Sequence, residues 1–189
     1  MIDAPVTHVR IRRASVDDAV AIARVRVDSW RATYRGMIPQ AYLDGMSVEA
    51  SATLWDRTLS ARSERSQVFV AEDAEGVLGF AAGVVLPEPK LGFDAELAAI
   101  YLRPAYQRLG LGTRLLGVTA AALAAQKAAA MIVWVIAGNK AARGFYEAEG
   151  AELLVEQPFQ WDGMDLVEAG YGWRDLPALV TATRDAAIH

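Results

Sequence analysis

Gln107-Arg108-Leu109-Gly110-Leu111-Gly112-Thr113 lies between an apolar run, Glu96–Leu102 (ELAAIYL), and an Ala- and Leu-rich stretch, Thr113–Lys127. The run reads as a buried strand and the stretch as a helix, so the glycines sit where a strand turns into a helix N-terminus. Glycine lacks Cβ and lets backbone amides approach a ligand closely. The first N–H groups of a helix have no partner within it, and its dipole favours an anion by roughly 0.3–1 kcal/mol per charge. Strand, glycine loop and helix start together make a cradle for a pyrophosphate. A tight turn whose glycines serve backbone geometry alone is the other reading. No Lys-Ser/Thr pair follows as in a P-loop, and the third glycine of G-x-G-x-x-G is replaced by Leu115.

Outward from the loop, Val9–Arg13 alternates as a short strand. Ser15 with Asp17 and Asp18 opens a helix to Ser29, with Val20, Ile22, Ala23, Val25 and Val27 on its buried side. Residues 30–47 read as irregular, broken by Gly36 and Pro39, and Val48–Ala61 as a second helix. Gln67–Glu72 and Val77–Leu86 form a hairpin ended by Pro87 and Pro89. Met131–Ile136 is apolar on both faces, as for a central strand covered by helices on both sides. Asn139 opens a helix to Glu149 that Gly150 caps. Glu152–Phe159 and Asp165–Trp173 close an antiparallel pair. This order predicts an α/β fold with a mixed, mostly antiparallel central sheet flanked by helices, not the strict alternation of a Rossmann fold. One domain is expected over residues 9–175, with tails at 1–8 and 176–189.

Composition narrows the chemistry. Of 189 residues, 53% are hydrophobic and 22% charged, which suits a packed core. A net charge of −4 argues against a nucleic-acid partner. Without cysteine there is no disulfide framework, thiolate metal site or cysteine nucleophile. The histidines are His8 and His189, so a histidine triad or a multi-histidine metal site is not expected. The N-terminus carries no apolar signal core, and Gln126 and Lys127 interrupt the apolar stretch Leu115–Ala137. The expectation is a cytoplasmic protein with no membrane span and no metal.

QRLGLG matches the Q/R-x-x-G-x-G/A signature of the GNAT superfamily of acyl-coenzyme A-dependent N-acetyltransferases, and YLRP resembles the lead-in to that signature. Downstream, NKAARGFYEAEGAE resembles the family's N-x-x-A-x-x-F-Y-x-x-x-G motif, in order and at the usual spacing. The resemblance covers roughly Val9 to Trp173 and is strongest from Glu96 to Ala151.

The resemblance implies acetyl-CoA as co-substrate. Its pyrophosphate would lie on the amides of Gln107, Arg108, Leu109, Gly110, Leu111 and Gly112, with the Thr113 hydroxyl added. Its pantetheine arm would pair with the backbone of Ile100, Tyr101 and Leu102, with Asn139 bonding the arm and Ala142 leaving it room. Tyr146 resembles the acid that protonates the departing thiolate. A thiol of pKa ~8.5 and a phenol of pKa ~10 can share a proton as charge builds. Phe145 and Tyr146 also fit as core aromatics of an amphipathic helix. Glu96 is the candidate base, since a carboxylate in an apolar strand needs water or a partner. A solvent-facing strand end is its other reading. Trp30, Tyr34 and Trp161 are candidates for the acceptor wall, or ordinary packing. The implied reaction is direct attack by a primary amine, on a small molecule or a peptide, in a ternary complex. Alternatives are a non-catalytic acyl-CoA-binding module or transfer of a longer acyl group. Phe159, Trp161 and Trp173 are the side chains on which a homodimer through the terminal strands would rest.

Overall fold

The computed structural model describes residues 9–61 and 63–186. The expected tail 1–8, with His8, and the last residues 187–189 lie outside the described residues. Among the described residues seven strands form one sheet: β1 (Arg10–Arg13), β2 (Ser66–Asp73), β3 (Gly76–Lys90), β4 (Phe93–Leu102), β5 (Met131–Ile136), β6 (Glu152–Trp161) and β7 (Met164–Trp173). Their order is β1-β2-β3-β4-β5-β7-β6, and every neighbouring pair is antiparallel except β4 and β5. Among the described residues six α-helices complete the fold: α1 (Ala19–Thr33), α2 (Gln40–Gly45), α3 (Val48–Ser60), α4 (Leu111–Ala125), α5 (Lys140–Ala148) and α6 (Leu176–Ala186). A parallel pair needs a crossover, and α4 supplies the one from β4 to β5. The mixed, mostly antiparallel sheet is the one expected from the sequence.

Helices bury both faces. On one, Leu115, Leu116, Ala120 and Leu123 of α4 pack with Ala81, Ala95, Leu97 and Val133. On the other, Ile22 and Val25 of α1 pack with Val68, Val70 and Phe80. Each fully buried leucine, isoleucine, valine or phenylalanine among them stabilises the fold by about 1.5–3 kcal/mol.

The structure corrects several local readings. Val20 is 49% exposed, because the stripe that helical periodicity buries runs through Ala19, Ile22, Ala23 and on to Trp30. Burial of Trp30 carries α1 four residues past Ser29. The stretch read as irregular contains α2, which follows Pro39 and buries Leu43. Arg31 holds it in place by donating to the carbonyls of Leu43 (3.0 Å), Asp44 (3.3 Å) and Met46 (2.9 Å). β3 continues through Pro87 and Pro89: its pairing with β2 ends at Val84, and its register with β4 breaks between Val85 and Lys90, so the missing proline N–H groups cost no ladder bond there. From Leu176 the chain forms α6, whose Leu176, Leu179 and Thr183 are buried. A β-carbon at Gly117 of α4 would lie 2.8 Å from Thr183 Cβ, so the two helices approach there over bare backbone. Trp173 is 4% exposed and donates from Nε1 to the Glu149 carbonyl (2.8 Å). It belongs to the core and offers no surface for a second subunit, whereas Trp161 is exposed.

Candidate active site

The site begins as a defect in the sheet. β4 pairs with β5 only at Ala95–Met131, Glu96–Ile132 and Leu97–Val133. Immediately beyond, Ala98 is an extra residue against β3, where Ala82 faces Ala99 and Gly83 faces Leu97. Such a bulge bends the strand and reverses its alternation. Leu97 packs under α4, and after the bulge it is Ile100 and Leu102 that contact that core, while Ala99 and Tyr101 turn to the α1 face. The strands splay, and a cleft of about 730 Å³ opens between them. Its walls are β4 from Leu97 to Leu102, the tip of β5, the face of α5 from Lys140 to Ala148, and Ser29, Thr33 and Tyr34 of α1 and its end. Arg108 and Lys140 are the charged residues that line it.

The glycine loop closes one end. Gly110 caps α4 at φ +76°, a left-handed conformation that glycine adopts without strain, and a β-carbon there would meet nothing within 4 Å. Gly112 serves a different purpose: a β-carbon there would sit 3.2 Å from the Phe145 ring, so its bareness lets α5 approach α4. The Arg114 N–H is the first of α4 to bond, to the Gly110 carbonyl (3.1 Å). Among the described residues the amides of Arg108 through Thr113 donate no hydrogen bond, which leaves six consecutive donors at one helix start. Gln107 does not join them. Its N–H bonds the Pro104 carbonyl (3.3 Å) and its side chain donates to the Leu102 carbonyl (3.2 Å). The Thr113 hydroxyl, expected to be free for a ligand, donates to the Glu149 carboxylate and ties α4 to the end of α5. The Leu102 carbonyl is also engaged, by Ser29 Oγ (3.1 Å) and Gln107, whereas Ile100 and Tyr101 lie on the edge of β4 that no longer pairs with β5.

At the inner end Tyr34, Tyr101, Asn139 and Tyr146 converge. Asn139 caps α5: its Oδ1 accepts from the Ala142 N–H (3.1 Å), and its amide NH₂ is directed at the Tyr34 phenol. The Tyr34 phenol approaches the Asn139 amide and the Tyr101 phenol. Burial, reinforced by the neighbouring phenol of Tyr101, raises the pKa of Tyr146 above the usual phenol range, and burial does the same to Tyr34 and Tyr101. The Tyr146 ring packs against Phe145, Tyr171 and Trp173, while its hydroxyl has no hydrogen-bond partner among the described residues. Arg143 fixes the helix that carries it, donating to the Tyr171 hydroxyl (2.9 Å) and the Ala137 carbonyl (3.0 Å) and pairing with Glu156 (2.7 Å).

Glu96 stands apart. It precedes the splay and does not line the cleft. Its side chain keeps 22% exposure, and Lys90 Nζ lies 3.9 Å from its carboxylate. Burial raises its pKa above the usual carboxylate value, opposed by Lys90 and supported by Glu168. Trp30 does not line the cleft either; it packs edge-on against Tyr34 at 4.8 Å and faces Trp161 at 5.8 Å. The Ala98 bulge, the Tyr101 phenol and the Ser29 hydroxyl are parts of this site that sequence reasoning missed. The resemblance assigns Tyr101 a role through its backbone alone, and nothing in ELAAIYL marks where the register slips.

A cleft between splayed strands, ending in free amides at a helix start and walled by tyrosines, is the setting in which comparison with known proteins is informative. Residues 25–151 match the model of the acetyltransferase (GNAT) family. The uncharacterized N-acetyltransferase YuaI of Bacillus subtilis is 40% identical over 174 residues, 92% of this chain and 97% of that protein. Among solved structures, PaiA N-acetyltransferase of Thermoplasma acidophilum in complex with coenzyme A aligns with a TM-score of 0.65 at 22% identity, over 85% of this chain and 97% of that one. The yncA protein of Salmonella typhimurium with its cofactor acetyl-CoA aligns with a TM-score of 0.64 at 18% identity, over 89% and 94%. These two alignments speak for the fold, and the family match together with the 40% identity over nearly the whole chain establishes that the protein belongs to the GNAT acetyltransferase family.

Proposed function

We propose that the protein moves an acetyl group from acetyl-CoA to a primary amine by direct attack in a ternary complex. The observation that carries this reading is the run of free amides from Arg108 to Thr113 at one end of the β4–β5 cleft, with the Tyr146 hydroxyl on the wall of that same cleft. The cradle fits a pyrophosphate because the space at Gly110 is open and both charged lining residues, Arg108 and Lys140, are cations in a chain of net charge −4. The coenzyme A in complex with PaiA and the acetyl-CoA cofactor of yncA support it.

Acetyl-CoA supplies an electrophilic thioester carbonyl. The unpaired edge of β4 at Ile100 and Tyr101 is the strand that would hold the pantetheine arm, with the Asn139 NH₂ opposite. As the amine nitrogen bonds the carbonyl carbon, the carbon–sulfur bond breaks and charge gathers on sulfur. The Tyr146 hydroxyl holds a proton at that position. A phenol above its ordinary ~10 is less acidic than a thiol near 8.5, so Tyr146 stabilises the departing thiolate by a strong hydrogen bond more than by complete transfer. The amine must lose a proton, and Glu96 is the carboxylate assigned to take it through water, since it lies outside the cleft. Tyr34 would form the acceptor wall, with Trp30 behind it. Initial-rate kinetics test the scheme: double-reciprocal lines for acetyl-CoA at several amine concentrations should intersect, and parallel lines would rule out direct attack.

A further inference from the structure

The inner end of the cleft holds more hydrogen-bond donors than acceptors. Trp30, 7% exposed, has a buried Nε1 without a hydrogen-bond partner, and that N–H is directed at the Tyr101 phenol. The Asn139 NH₂ is directed at the Tyr34 phenol, which in turn approaches that of Tyr101. Indole and amide N–H groups can only donate, so both phenol oxygens face groups that need them as acceptors. However Tyr34 and Tyr101 share a bond between them, one hydroxyl proton of the pair is left over. Nothing at this end of the cleft is free to take it. No carboxylate or imidazole is among the residues that line the cleft, the Asn139 Oδ1 is taken by the Ala142 N–H, and the Leu102 carbonyl is taken by Ser29 and Gln107.

Tyr101 is the better placed of the two. It lies on the edge of β4 released from β5, beside Ile100, on the stretch assigned to the pantetheine arm. The Ala98 bulge turns its side chain to the α1 face, toward Trp30, while Tyr146 reaches the same cleft from α5. The phenols of Tyr101 and Tyr146 are close enough to act on each other electrostatically. Two hydroxyls therefore meet the reacting end of the cleft from opposite sides.

We infer that the Tyr101 hydroxyl is a second catalytic donor, which bonds the carbonyl oxygen of the thioester while Trp30 Nε1 and the Asn139–Tyr34 pair set its direction. The inference rests on the acetyl-transfer reading and deepens it. As the amine nitrogen bonds the carbonyl carbon, the carbonyl π pair moves onto oxygen. When the carbon–sulfur bond breaks, that pair returns and the bond pair leaves with sulfur. Tyr101 keeps its proton throughout and serves the oxygen, as Tyr146 serves the sulfur. Burial favours the protonated phenol, and a hydrogen bond received from Trp30 polarises the hydroxyl and strengthens the bond it donates.

The test uses acetyl-CoA labelled with carbon-13 at the carbonyl, bound to the parent, to Tyr101→Phe and to Trp30→Phe with no amine present. A hydrogen bond to the carbonyl moves its carbon resonance downfield. The parent should show such a displacement from free acetyl-CoA, Tyr101→Phe should lose much of it, and Trp30→Phe, which removes the orienting donor alone, should fall between. Phenylalanine keeps the ring contact with Phe80 at 5.7 Å, so Tyr101→Phe should melt as a folded protein with acetyl-CoA affinity within about threefold of the parent. With the primary amine that the parent turns over fastest in a panel of amino acids and polyamines, its kcat should drop roughly 10²–10³-fold, the loss expected of one oxyanion donor, with the amine KM little changed. A resonance identical in the parent and folded Tyr101→Phe overturns the inference, and so does a loss confined to the amine KM, which would place the phenol against the acceptor; the acetyl-CoA reading survives either. If Tyr101→Phe does not fold, a parent-like resonance in Trp30→Phe overturns it instead. Failure of acetyl-CoA to bind the parent overturns both readings.

Discussion

Replacing Tyr146 with phenylalanine isolates the phenol from the packing around it. The ring lies 5.6 Å from Phe145, 6.1 Å from Tyr171 and 6.0 Å, edge-on, from Trp173, and phenylalanine keeps all three contacts. The hydroxyl that disappears has no partner among the described residues, so stability should change by no more than about 0.5 kcal/mol. Catalysis should suffer far more. A hydrogen-bond donor aimed at charge that develops in the transition state contributes about 10²–10³-fold, so the barrier should rise by roughly 2.7–4 kcal/mol. Because burial raises the pKa of this phenol, the parent enzyme should show no alkaline loss of kcat from Tyr146 ionisation up to the ordinary phenol range near ~10. Thiol release at saturating acetyl-CoA, a calorimetric Kd and a urea melt, made on the same preparations, separate the three effects. A variant that keeps kcat within about threefold of the parent would refute the role given to Tyr146.

Other expectations follow from the same geometry. Burial raises the Glu96 pKa, so its base form fills only as pH climbs past the usual carboxylate value; kcat/KM should rise through that pKa, and Glu96→Gln should lose this limb and roughly 10²-fold in plateau rate. The same sign makes the charged carboxylate oppose folding at higher pH, so the variant should be no less stable at neutrality, which a urea melt checks. Gly117→Ala would set a β-carbon 2.8 Å from Thr183 Cβ and should cost about 1–3 kcal/mol by overpacking α4 against α6, read from the urea midpoint. Arg12 bonds Asp18 through both terminal nitrogens (2.7 and 2.8 Å) and also Glu72 (2.6 and 2.9 Å), and depresses both carboxyl pKa values. That stability, roughly 1.5–3 kcal/mol, is present above the unfolded carboxylate pKa near ~4 and lost as pH falls through the depressed folded values, so Arg12→Met should flatten the acid limb of a stability–pH curve.

What the sequence made legible was whatever local chemistry determines. The glycine loop, the Asn139 cap and the two-sided burial of Met131–Ile136 each follow from a few adjacent residues, and the structure places them as expected. What it concealed depends on partners distant in sequence. α2 looked like a broken stretch because the guanidinium that orders it, Arg31, sits twelve residues before Leu43. Residues from Leu176 onward looked like a tail because α6 is held by what lies opposite, the bare backbone at Gly117. Thr113 looked free for a ligand until α5 brought Glu149 to it. The Ala98 bulge, which turns a parallel strand pair into a cleft, leaves no mark in an apolar run where any neighbouring residue could have taken the extra position.

The measurement that bears most directly on the central claim is a calorimetric titration of acetyl-CoA into the protein and into Gly110→Trp. At φ +76° a side chain costs about 1–2 kcal/mol in backbone strain, and its β-carbon would meet nothing within 4 Å. The account predicts a one-to-one complex with the parent and none with a variant that a melting curve shows to be folded. Absence of binding by the parent, or equal binding by the folded variant, would contradict it.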